Sequence, residues 1–201
     1  MRVLIACEWS GMVRDAFIRA GHSATSCDFL AGEGTYTSNH IQGDAIAMLH
    51  RHRHRWDLMI AFPPCTYLCS SGLHWNTRRP ERQALTDHAL RFVRLLMDAD
   101  IPRIVVENPA GCIGSKIRPA DQYIQPWQFG SPESKRTGLW LKNLPLLQPT
   151  KIMEIPKSGR WQNQTLSGQN RLGPSPDRAK LRGKTYPGIA DAMAEQWGIQ
   201  E

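Results

Sequence analysis

A cysteine that could act as a nucleophile lies near the middle of the chain, at the end of segment 61–65 (AFPPC). The apolar residues before it predict a buried strand, and Pro63 and Pro64 then fix the backbone and remove two backbone donors. The direction of the Cys65 thiol is therefore set before any ligand arrives, as nucleophilic catalysis by a thiolate requires. A free cysteine is as often a small buried hydrophobic residue, and this segment alone leaves both interpretations open.

A carboxyl group suited to proton transfer ends another apolar segment, 104–108 (IVVEN). At the end of a buried strand, loss of solvent raises the pKa of Glu107, so that its side chain can hold or donate a proton. Asn108 and Pro109 follow it directly. Taken by itself, such a segment more often caps a helix or a loop.

Residues typical of a nucleoside-binding turn follow the first two apolar segments. Gly11 comes after segment 2–7 (RVLIAC), and Asp28 lies at the end of segment 22–29 (HSATSCDF). A glycine there allows a cofactor to approach the backbone, and an acidic residue after the next strand can accept hydrogen bonds from ribose hydroxyls. One glycine rather than three fits a nucleoside cofactor without a pyrophosphate better than a dinucleotide. Asp44 could add a carboxylate for the adenine amino group.

Alternating strands and helices must position these side chains. Strands are predicted at 2–7, 22–29, 56–62 and 102–109, and helices at 13–20, 45–50 and 80–98. The alternation predicts an α/β fold with a largely parallel sheet and helices on both faces, which binds ligands at the carboxyl ends of its strands. The four polar residues expected to meet there in one crevice are Glu8, Asp28, Cys65 and Glu107. The predicted inner stripe of the long helix consists of Ala84, Leu85, His88, Leu95 and Leu96.

The second half of the chain has a different character, with frequent prolines from about residue 111 onward. Segment 137–143 (TGLWLKN) predicts one more strand. Segment 187–197 (PGIADAMAEQW) predicts a closing amphipathic helix, with Pro187 in its first turn, where helices tolerate proline. Residues 151–185 are polar, glycine-rich and basic, and this composition predicts an irregular stretch.

The composition favours a soluble protein with a polyanionic partner. With 41% hydrophobic residues, the 201-residue chain can bury a core. Lys plus Arg number 25 against 18 Asp plus Glu, and the net charge of +7 favours nucleic acid. No apolar run approaches the ~18 residues of a membrane span, and Glu8 and Arg14 interrupt any secretion signal. The five irregularly spaced cysteines suit a reducing compartment, so we expect a cytoplasmic location.

In combination, these motifs resemble the DNA cytosine-5 methyltransferases that use S-adenosylmethionine. Those enzymes carry, in order, a first-strand glycine turn, an acidic residue after the second strand, a short GD element, a Pro-Cys turn and a Glu-Asn pair. The matching positions are Ser10-Gly11, Asp28, Gly43-Asp44, Pro64-Cys65 and Glu107-Asn108. The resemblance spans residues 1 to about 110 and is greatest to the short, phage-type members.

The resemblance implies a Rossmann-like S-adenosylmethionine-dependent methyltransferase fold in a single domain, 1–201. It divides the chain into a cofactor-binding and catalytic core at 1–110, a reduced substrate-binding region at 111–185 and a closing helix at 186–201. It implies S-adenosylmethionine as cofactor and DNA as partner, with no metal and no membrane contact. The implied cofactor-binding residues are Cys7, Glu8, Trp9, Ser10, Gly11, Asp28, Asp44, Pro63 and Tyr186. The implied catalytic residues are Cys65, Glu107, Asn108, Lys135 and Arg136.

The residue that would hold the target base is the least well matched. Lys135 and Arg136 precede a predicted strand, as the family's base-holding arginine does, although the Gln-x-Arg-x-Arg pattern is absent. Segment 169–171, with Arg171, is the rival candidate. Thr66 replaces the glutamine that follows the family's nucleophile. No stretch is long enough for a full target-recognition domain, so short or relaxed sequence specificity is expected.

Other chemically suggestive residues receive plainer interpretations. His50, His52 and His54 alternate with arginines, which predicts a basic face touching phosphate rather than a metal site. Cys69 follows Cys65 at C-x3-C spacing without a second pair, so we expect it to be structural and not a zinc ligand. Trp127 and Trp161 are candidates for stacking on bases, whereas Trp140 between leucines is expected in the core.

Two further functions remain open at the level of sequence. One is a catalytically idle nucleic-acid-binding protein that retains the cofactor fold. The other keeps the chemistry but acts on single-stranded DNA, RNA or a cytosine nucleotide, or transfers a group larger than methyl.

Overall fold

The computed structural model describes residues 1–52, 55–168, 170–173, 175 and 177–199. Its strands are β1 (Arg2–Ala6), β2 (Ser23–Asp28), β3 (His40–Gln42), β4 (Leu58–Ala61), β5 (Arg103–Pro109), β6 (Gln122–Ile124) and β7 (Thr137–Lys142). Its helices are α1 (Met12–Arg19), α2 (Ala45–Arg51), α3 (Ser70–Leu73), α4 (Pro80–Met97), α5 (Ile113–Lys116), α6 (Arg178–Gly183) and α7 (Pro187–Trp197). Short 3-10 turns lie at Thr37–Asn39, Cys65–Tyr67 and Pro126–Gln128.

The strands of the described chain form one sheet in the order β3-β2-β1-β4-β5-β7-β6. The first five strands in this order are parallel to one another, and β7 runs antiparallel to both β5 and β6. This order, with a reversed seventh strand inserted beside the fifth, is that of Rossmann-like S-adenosylmethionine-dependent methyltransferases. The predicted α/β fold, with a largely parallel sheet and helices on both faces, is confirmed.

The central strands are apolar throughout because helices cover both faces of the sheet. Every residue of β4 is buried, and successive residues of β1 face opposite sides. Val3 and Ile5 pack in a cluster with residues of α1 and α7. Leu4 and Ala6 pack in a second cluster with residues of α2 and α4. The two clusters hold the parallel strands in register, so that their carboxyl ends open at one edge.

The predicted inner stripe of α4 was wrong. Of its five members only Leu96 is buried, whereas Leu85 and Leu95 are 45% and 54% exposed, and Ala84 and His88 also face solvent. The buried residues are instead Thr86, Leu90, Val93 and Leu96. Apolar residues lie on two sides of this helix at helical spacing, and packing against the sheet selects the side that carries Leu90 and Val93.

Five short elements of the described chain were not predicted from the sequence: β3, β6, α3, α5 and α6. β3 falls where a loop was expected to lead into Gly43, and it pairs with Ser26, Cys27 and Asp28 of β2. α6 lies inside the stretch 151–185, which is otherwise irregular as predicted. The closing helix α7 has the predicted bounds. None of the helices in the described residues is both long and apolar enough to cross a membrane.

Candidate active site

The carboxyl ends of the two adjacent strands β4 and β5 bring Cys65 and Glu107 together. Ala61 pairs with Val106, so the two chains leave the sheet side by side. The Asn108 side-chain amide donates to the carbonyl oxygen of Pro63 at 2.7 Å and thereby ties the start of the proline turn to β5. Glu107 lies near enough to Cys65 for a charge on its carboxyl to raise the pKa of the thiol. The structure therefore places the predicted nucleophile and the predicted acid in one cleft.

The Cys65 thiol sits on a turn whose shape the backbone fixes. Pro64 has φ −54° and ψ 124°, and a 3-10 turn over Cys65–Tyr67 follows. The backbone amides of Leu68 and Cys69 both donate to the Cys65 carbonyl at 3.0 Å. The Cys65 thiol is partly buried, and its hydrogen bond with Cys69, its burial and the nearby Glu107 charge all raise its pKa. A neighbouring group that shifts the proton of Cys65 is therefore needed before it can act as a thiolate.

The Glu107 side chain is 14% exposed, and burial raises the pKa of its carboxyl. The positive charge of Lys135 and a hydrogen bond from Thr137 oppose that shift. The Lys135 ammonium lies 4.0 Å from Glu107 Oε1 and donates to the carbonyl oxygen of Arg182 at 3.1 Å. This carboxyl can thus remain protonated to higher pH than an ordinary glutamate, with a cation within reach.

The three candidates for holding the target base occupy different places. Lys135 points into the cleft toward Glu107, as described above. The Arg136 guanidinium instead lies over the ring of Tyr123, 4.1 Å from its centroid. Arg171 is exposed and donates to the carbonyl oxygen of Gln162, and Gln169 lies outside the described residues. Of the candidates, Lys135 has the position that base binding next to Glu107 requires.

The first turn uses the side chains of Glu8 and Ser10 internally. The buried Glu8 carboxyl accepts hydrogen bonds from the backbone amides of Val13 at 2.7 Å and Arg14 at 3.3 Å. Ser10 donates to Glu8 and accepts from the amide of Met12. Burial raises the pKa of Glu8 to about 7, against the effect of these hydrogen bonds. Both side chains therefore cap the start of α1, and the backbone of the turn is left as the part that can face a cofactor.

The backbone conformation of residue 11 and the atoms packed beside it both require glycine. Gly11 has φ +73°, and a Cβ atom there would collide with the Arg14 guanidinium and the carbonyl oxygen of Glu33. The fully buried Arg14 also bonds to Asp15 and Ser26, so it has little freedom to move. The sequence predicted room for a cofactor beside this glycine, but Arg14 and Glu33 occupy the space on its Cβ side.

Replacing Gly11 with alanine is expected to destabilise the protein by about 2–5 kcal/mol, from a left-handed backbone plus overpacking. Gly21 is a matched control at the other end of α1, because it has φ +84° and no neighbouring atom lies within 4 Å of the position that an added methyl group would take. Gly21→Ala is expected to cost only about 1–2 kcal/mol, the backbone contribution alone. Denaturant unfolding of both variants measures the difference, and equal losses would show that Arg14 yields.

Asp28, Asp44 and Cys7 lie together at the ends of β1 and β2. Burial, followed by the charges of Asp28 and Asp44, raises the pKa of the Cys7 thiol. Asp28 accepts from the amide of Leu30, and Asp44 caps α2 by accepting from Ile46 at 2.8 Å. Cys7 itself has φ +59°, which turns the chain sharply away from β1. These three predicted cofactor residues therefore share one corner of the cleft.

Phe29 is a candidate binding residue that the sequence reasoning missed. It directly follows Asp28, and its side chain is 72% exposed. An exposed aromatic ring beside an acidic residue can stack on a purine whose ribose the carboxylate binds. The sequence did offer a signal, because an aromatic residue follows directly after the predicted strand, at a position where a polar loop residue is more common.

Helix α6 covers the predicted cofactor turn. The ammonium groups of Lys180 and Lys184 lie 4.5 and 5.0 Å from the ring centroid of the buried Trp9. The same two groups pair with the carboxylate of Glu33 at 2.8 and 3.3 Å. Trp9 is therefore packed under the helix rather than directed outward. This contact was not predicted, because nothing in the polar stretch 151–185 indicates where it packs.

Tyr186 lies between α6 and α7 and is partly buried. Its hydroxyl donates to Glu133 Oε2 at 2.6 Å. Burial and this hydrogen bond raise the pKa of the phenol. Tyr186 thus links the closing helix to the segment before β7, the segment that also carries Lys135.

The tryptophan and histidine residues that the sequence analysis singled out have different surroundings. Trp127 and Trp161 stack on each other, with centroids 6.4 Å apart and planes 14° apart, so the structure gives each ring a protein partner. Trp140 is in the core, as predicted, and donates to the carbonyl of Arg118. His50 is in α2 and His52 just follows it, while His54 lies outside the described residues. Within the described ranges, no three His, Cys, Asp or Glu residues are grouped closely enough to hold a metal ion.

No protein-family model and no curated protein matches the chain. Among solved structures, it is similar to a triple mutant of DNMT2 from Spodoptera frugiperda at 16% sequence identity, over 81% of this chain and 57% of that one, with a TM-score of 0.43. It is also similar to the Dnmt2 methyltransferase of S. pombe at 18% identity, over 73% of this chain and 51% of that one, with a TM-score of 0.46. The chain spans little more than half the length of these two structures.

Proposed function

We propose that this protein is an S-adenosylmethionine-dependent methyltransferase that methylates carbon 5 of cytosine in DNA through a covalent adduct with Cys65. The observation that carries the proposal is the pairing of Cys65, on a rigid turn, with the buried Glu107 carboxyl at the ends of two adjacent strands. A thiol and a protonated acid that face one cleft are the two groups that addition to a pyrimidine ring requires.

The chemistry follows from what each group can do. Cytosine carbon 5 is a poor nucleophile, and attack of the Cys65 thiolate on carbon 6 converts the ring to an enamine. The protonated Glu107 donates a hydrogen bond to N3 and stabilises the charge that develops on the ring. S-adenosylmethionine, when bound, supplies the methyl group from its sulfonium centre. After the carbon-5 proton is lost, the sulfur–carbon bond breaks and its electron pair returns to Cys65.

The residues at the ends of β1 and β2 fit a nucleoside cofactor. Asp28 offers a carboxylate to ribose hydroxyls, and the exposed ring of Phe29 offers a stacking surface. Asp44 supplies a second carboxylate nearby, and Trp9 and the turn at Gly11 close this side of the cleft. Pro63 lies just before the Cys65 turn, and Tyr186 lies at the start of α7, bonded to Glu133. Together these groups would hold the cofactor beside the base.

A basic and aromatic surface beside the Cys65 turn supports a nucleic-acid substrate. Trp75 is 40% exposed, and the guanidinium groups of Arg78 and Arg79 lie 5.4 and 5.3 Å from its ring centroid. Arg82 lies over the ring of Tyr67, 4.7 Å from its centroid. Arginines can neutralise phosphates, and stacked aromatic rings can contact bases. Flipping the target base out of the duplex costs roughly a few kcal/mol, which phosphate contacts would offset.

The three parts of the proposed single domain have separate tasks. Residues 1–110 carry the cofactor corner and both Cys65 and Glu107. Residues 111–185 form the reduced substrate-binding region, which brings Lys135 to the cleft and α6 over Trp9. Residues 186–201 close the domain with α7, and Lys135 and Arg182 join the second part to the catalytic core.

Incubation of the purified protein with S-adenosylmethionine and DNA, followed by mass spectrometry of the digested nucleosides, tests the proposal. The expected product is 5-methyldeoxycytidine, and double-stranded DNA is expected to be the best substrate. Parallel reactions with single-stranded DNA, RNA and cytidine monophosphate identify a different acceptor. Calorimetric binding of S-adenosylmethionine without transfer to any of the four acceptors would contradict the proposal and indicate an idle nucleic-acid-binding protein.

Lys135→Met is expected to lower the rate of methyl transfer by roughly 10²-fold, the usual loss when one stabilising donor is removed. Its ammonium is the cation that lies near Glu107 and can reach the same pyrimidine ring. The matched variant Arg136→Met should cost less, because that guanidinium stacks on Tyr123 outside the cleft. Single-turnover transfer of a tritiated methyl group measures both. A larger loss in Arg136→Met would assign the base to Arg136.

A further inference from the structure

We propose that Arg82 and Thr86 of α4 are positioning residues for Cys65, because they hold the backbone of the turn that directs its thiol. This inference rests on the proposed function and deepens it, since it gives one arginine of the basic and aromatic surface a task in the chemical step. Neither side chain contacts the base. Both act on the reaction through the carbonyl groups that follow Cys65.

Two side chains on one face of α4 bind consecutive carbonyl groups of the Cys65 turn. Arg82 and Thr86 are four residues apart in the helix, so they lie on the same face. The Arg82 guanidinium donates from Nη2 to the carbonyl oxygen of Thr66 at 2.7 Å. The Thr86 hydroxyl donates to the carbonyl oxygen of Tyr67 at 3.1 Å. α4 therefore holds the two residues that directly follow Cys65.

Each of these two side chains is itself held in place. The Arg82 guanidinium lies over the ring of Tyr67, 4.7 Å from its centroid, and its Nε atom is buried. Thr86 is 3% exposed, and its hydroxyl also accepts a hydrogen bond from the side-chain amide of Asn76 at 2.9 Å. A residue whose own rotamer is fixed by such contacts can hold its partner more precisely than a mobile surface side chain.

The other side of the turn is held by the segment that follows β5. Cys69 forms a β-bridge with Gly111, and the amide of Cys112 donates to the carbonyl oxygen of Leu68 at 2.9 Å. Within the turn, the amides of Leu68 and Cys69 both donate to the Cys65 carbonyl. The contacts from α4 complete this support on the second side. They matter for the reaction because a displacement of about 1 Å at a reacting group can cost roughly 10²-fold in rate.

The neighbouring arginines of the same surface have different surroundings. Arg78 and Arg79 are exposed, and their guanidinium groups lie over the ring of Trp75, which is itself 40% exposed. These two arginines can reach phosphates from the surface, whereas Arg82 binds the backbone of the Cys65 turn. We therefore expect the exposed pair to contribute to DNA affinity and Arg82 to contribute to the rate of the chemical step.

Arg82→Met is expected to slow formation of the Cys65 adduct at saturating DNA by roughly 10- to 10²-fold, and to lower DNA affinity less than Arg78→Met does. Arg78→Met should show the opposite pattern, with weaker binding and a nearly unchanged rate at saturation. Arg82→Lys retains a donor and a positive charge and should recover part of the lost rate. Arg91→Met removes an exposed arginine further along α4 and is the control for the loss of charge. Titration of DNA in single-turnover reactions measures both quantities.

Gly72→Ala disturbs the same contact without removing the arginine. A Cβ atom at residue 72 would lie 2.8 Å from Arg82 Nη2 and 3.2 Å from the carbonyl oxygen of Thr66, so the guanidinium must move away. We expect this variant to slow adduct formation as Arg82→Met does. Gly114→Ala, in the similarly short helix α5, is the matched control, because an added Cβ atom there would meet Tyr123 Oη at an ordinary contact of 3.8 Å.

Hydrogen exchange of the free protein tests the anchoring without substrate or cofactor. In Arg82→Met and Gly72→Ala, the two amides that donate to the Cys65 carbonyl should exchange about 10-fold faster or more than in the wild type. The two control variants should exchange at the wild-type rate. Wild-type exchange of these amides in Arg82→Met would overturn the inference, as would an unchanged adduct rate at saturating DNA. If the wild type transferred no methyl group to any acceptor, the proposed function would fail, and the exchange rates would still decide whether α4 holds the turn.

Discussion

Cys65→Ala is expected to abolish methyl transfer, with a loss on the order of 10⁴-fold or more, while the protein remains folded. Addition of sulfur to carbon 6 is the step that makes carbon 5 nucleophilic, and no other described thiol lies in front of Glu107 on the proline turn. Because Cys65 is partly exposed, its replacement leaves no sealed cavity and should cost little stability. Tritiated methyl transfer and thermal unfolding measure the two effects.

The role of Cys65 can also be tested by trapping its covalent adduct with the base. An oligonucleotide with 5-fluorocytosine cannot lose a carbon-5 proton, so the wild-type adduct with Cys65 should persist through denaturing electrophoresis. Cys112→Ala is a matched control, because it also removes one cysteine and should still form the adduct. An adduct in the Cys65→Ala protein would exclude Cys65 as the nucleophile, and its disappearance on adding Cys69→Ala would move that role to Cys69.

The order of the main strands could be predicted because they are continuous apolar segments that end at proline, glycine or polar residues. Segment 56–62 ends at two prolines, and β4 occupies its middle as Leu58–Ala61. β3 could not be predicted, since its three residues have no apolar pattern and form a strand only because β2 offers an unpaired edge. The buried side of α4 was likewise decided by contact with the sheet, as both of its sides carry leucines.

The site could be predicted to the extent that strand ends determine it. Cys65 and Glu107 both follow parallel strands, and adjacent parallel strands open at the same edge of the sheet. The choice between Lys135 and Arg136 was beyond the sequence, since neighbouring side chains in an extended segment point in opposite directions. Only the packing of β7 shows which of the two faces Glu107.

The surroundings of Glu8 and Arg182 could not be predicted, because they depend on tertiary contacts that the neighbouring sequence does not indicate. The acidic residue Glu8 lies just after β1, as a ligand-binding carboxylate would. Both of its carboxylate oxygens instead accept hydrogen bonds from backbone amides at the start of α1. Arg182 reaches the thiols from a stretch whose composition predicts an irregular basic loop, because α6 packs across Trp9 and Glu33. Tertiary packing gives both residues their partners.

Glu107→Gln is expected to slow methyl transfer by roughly 10²-fold or more while leaving DNA binding intact. A protonated carboxyl donates to N3 and can give up its proton as charge develops, whereas the amide of glutamine can only donate a weaker hydrogen bond. Burial raises the pKa of Glu107, so the wild-type rate should fall as pH rises through that raised value and the acid loses its proton. The glutamine variant should lack this decline, because its amide does not titrate.

The same shift acts on stability with a definite sign. The folded chain holds a proton on Glu107 above the ordinary pKa of 4.5, where the unfolded chain has released it. The free energy of unfolding therefore loses the Glu107 contribution as pH rises from that value through the raised pKa, and Glu107→Gln should flatten this part of the curve. Glu81→Gln, at an exposed position in the first turn of α4, is the control for both measurements. If Glu107→Gln and Glu81→Gln gave the same methyl-transfer rate, Glu107 would have no part in activating the base. The proposed function would then lose the observation on which it rests, the pairing of Glu107 with Cys65.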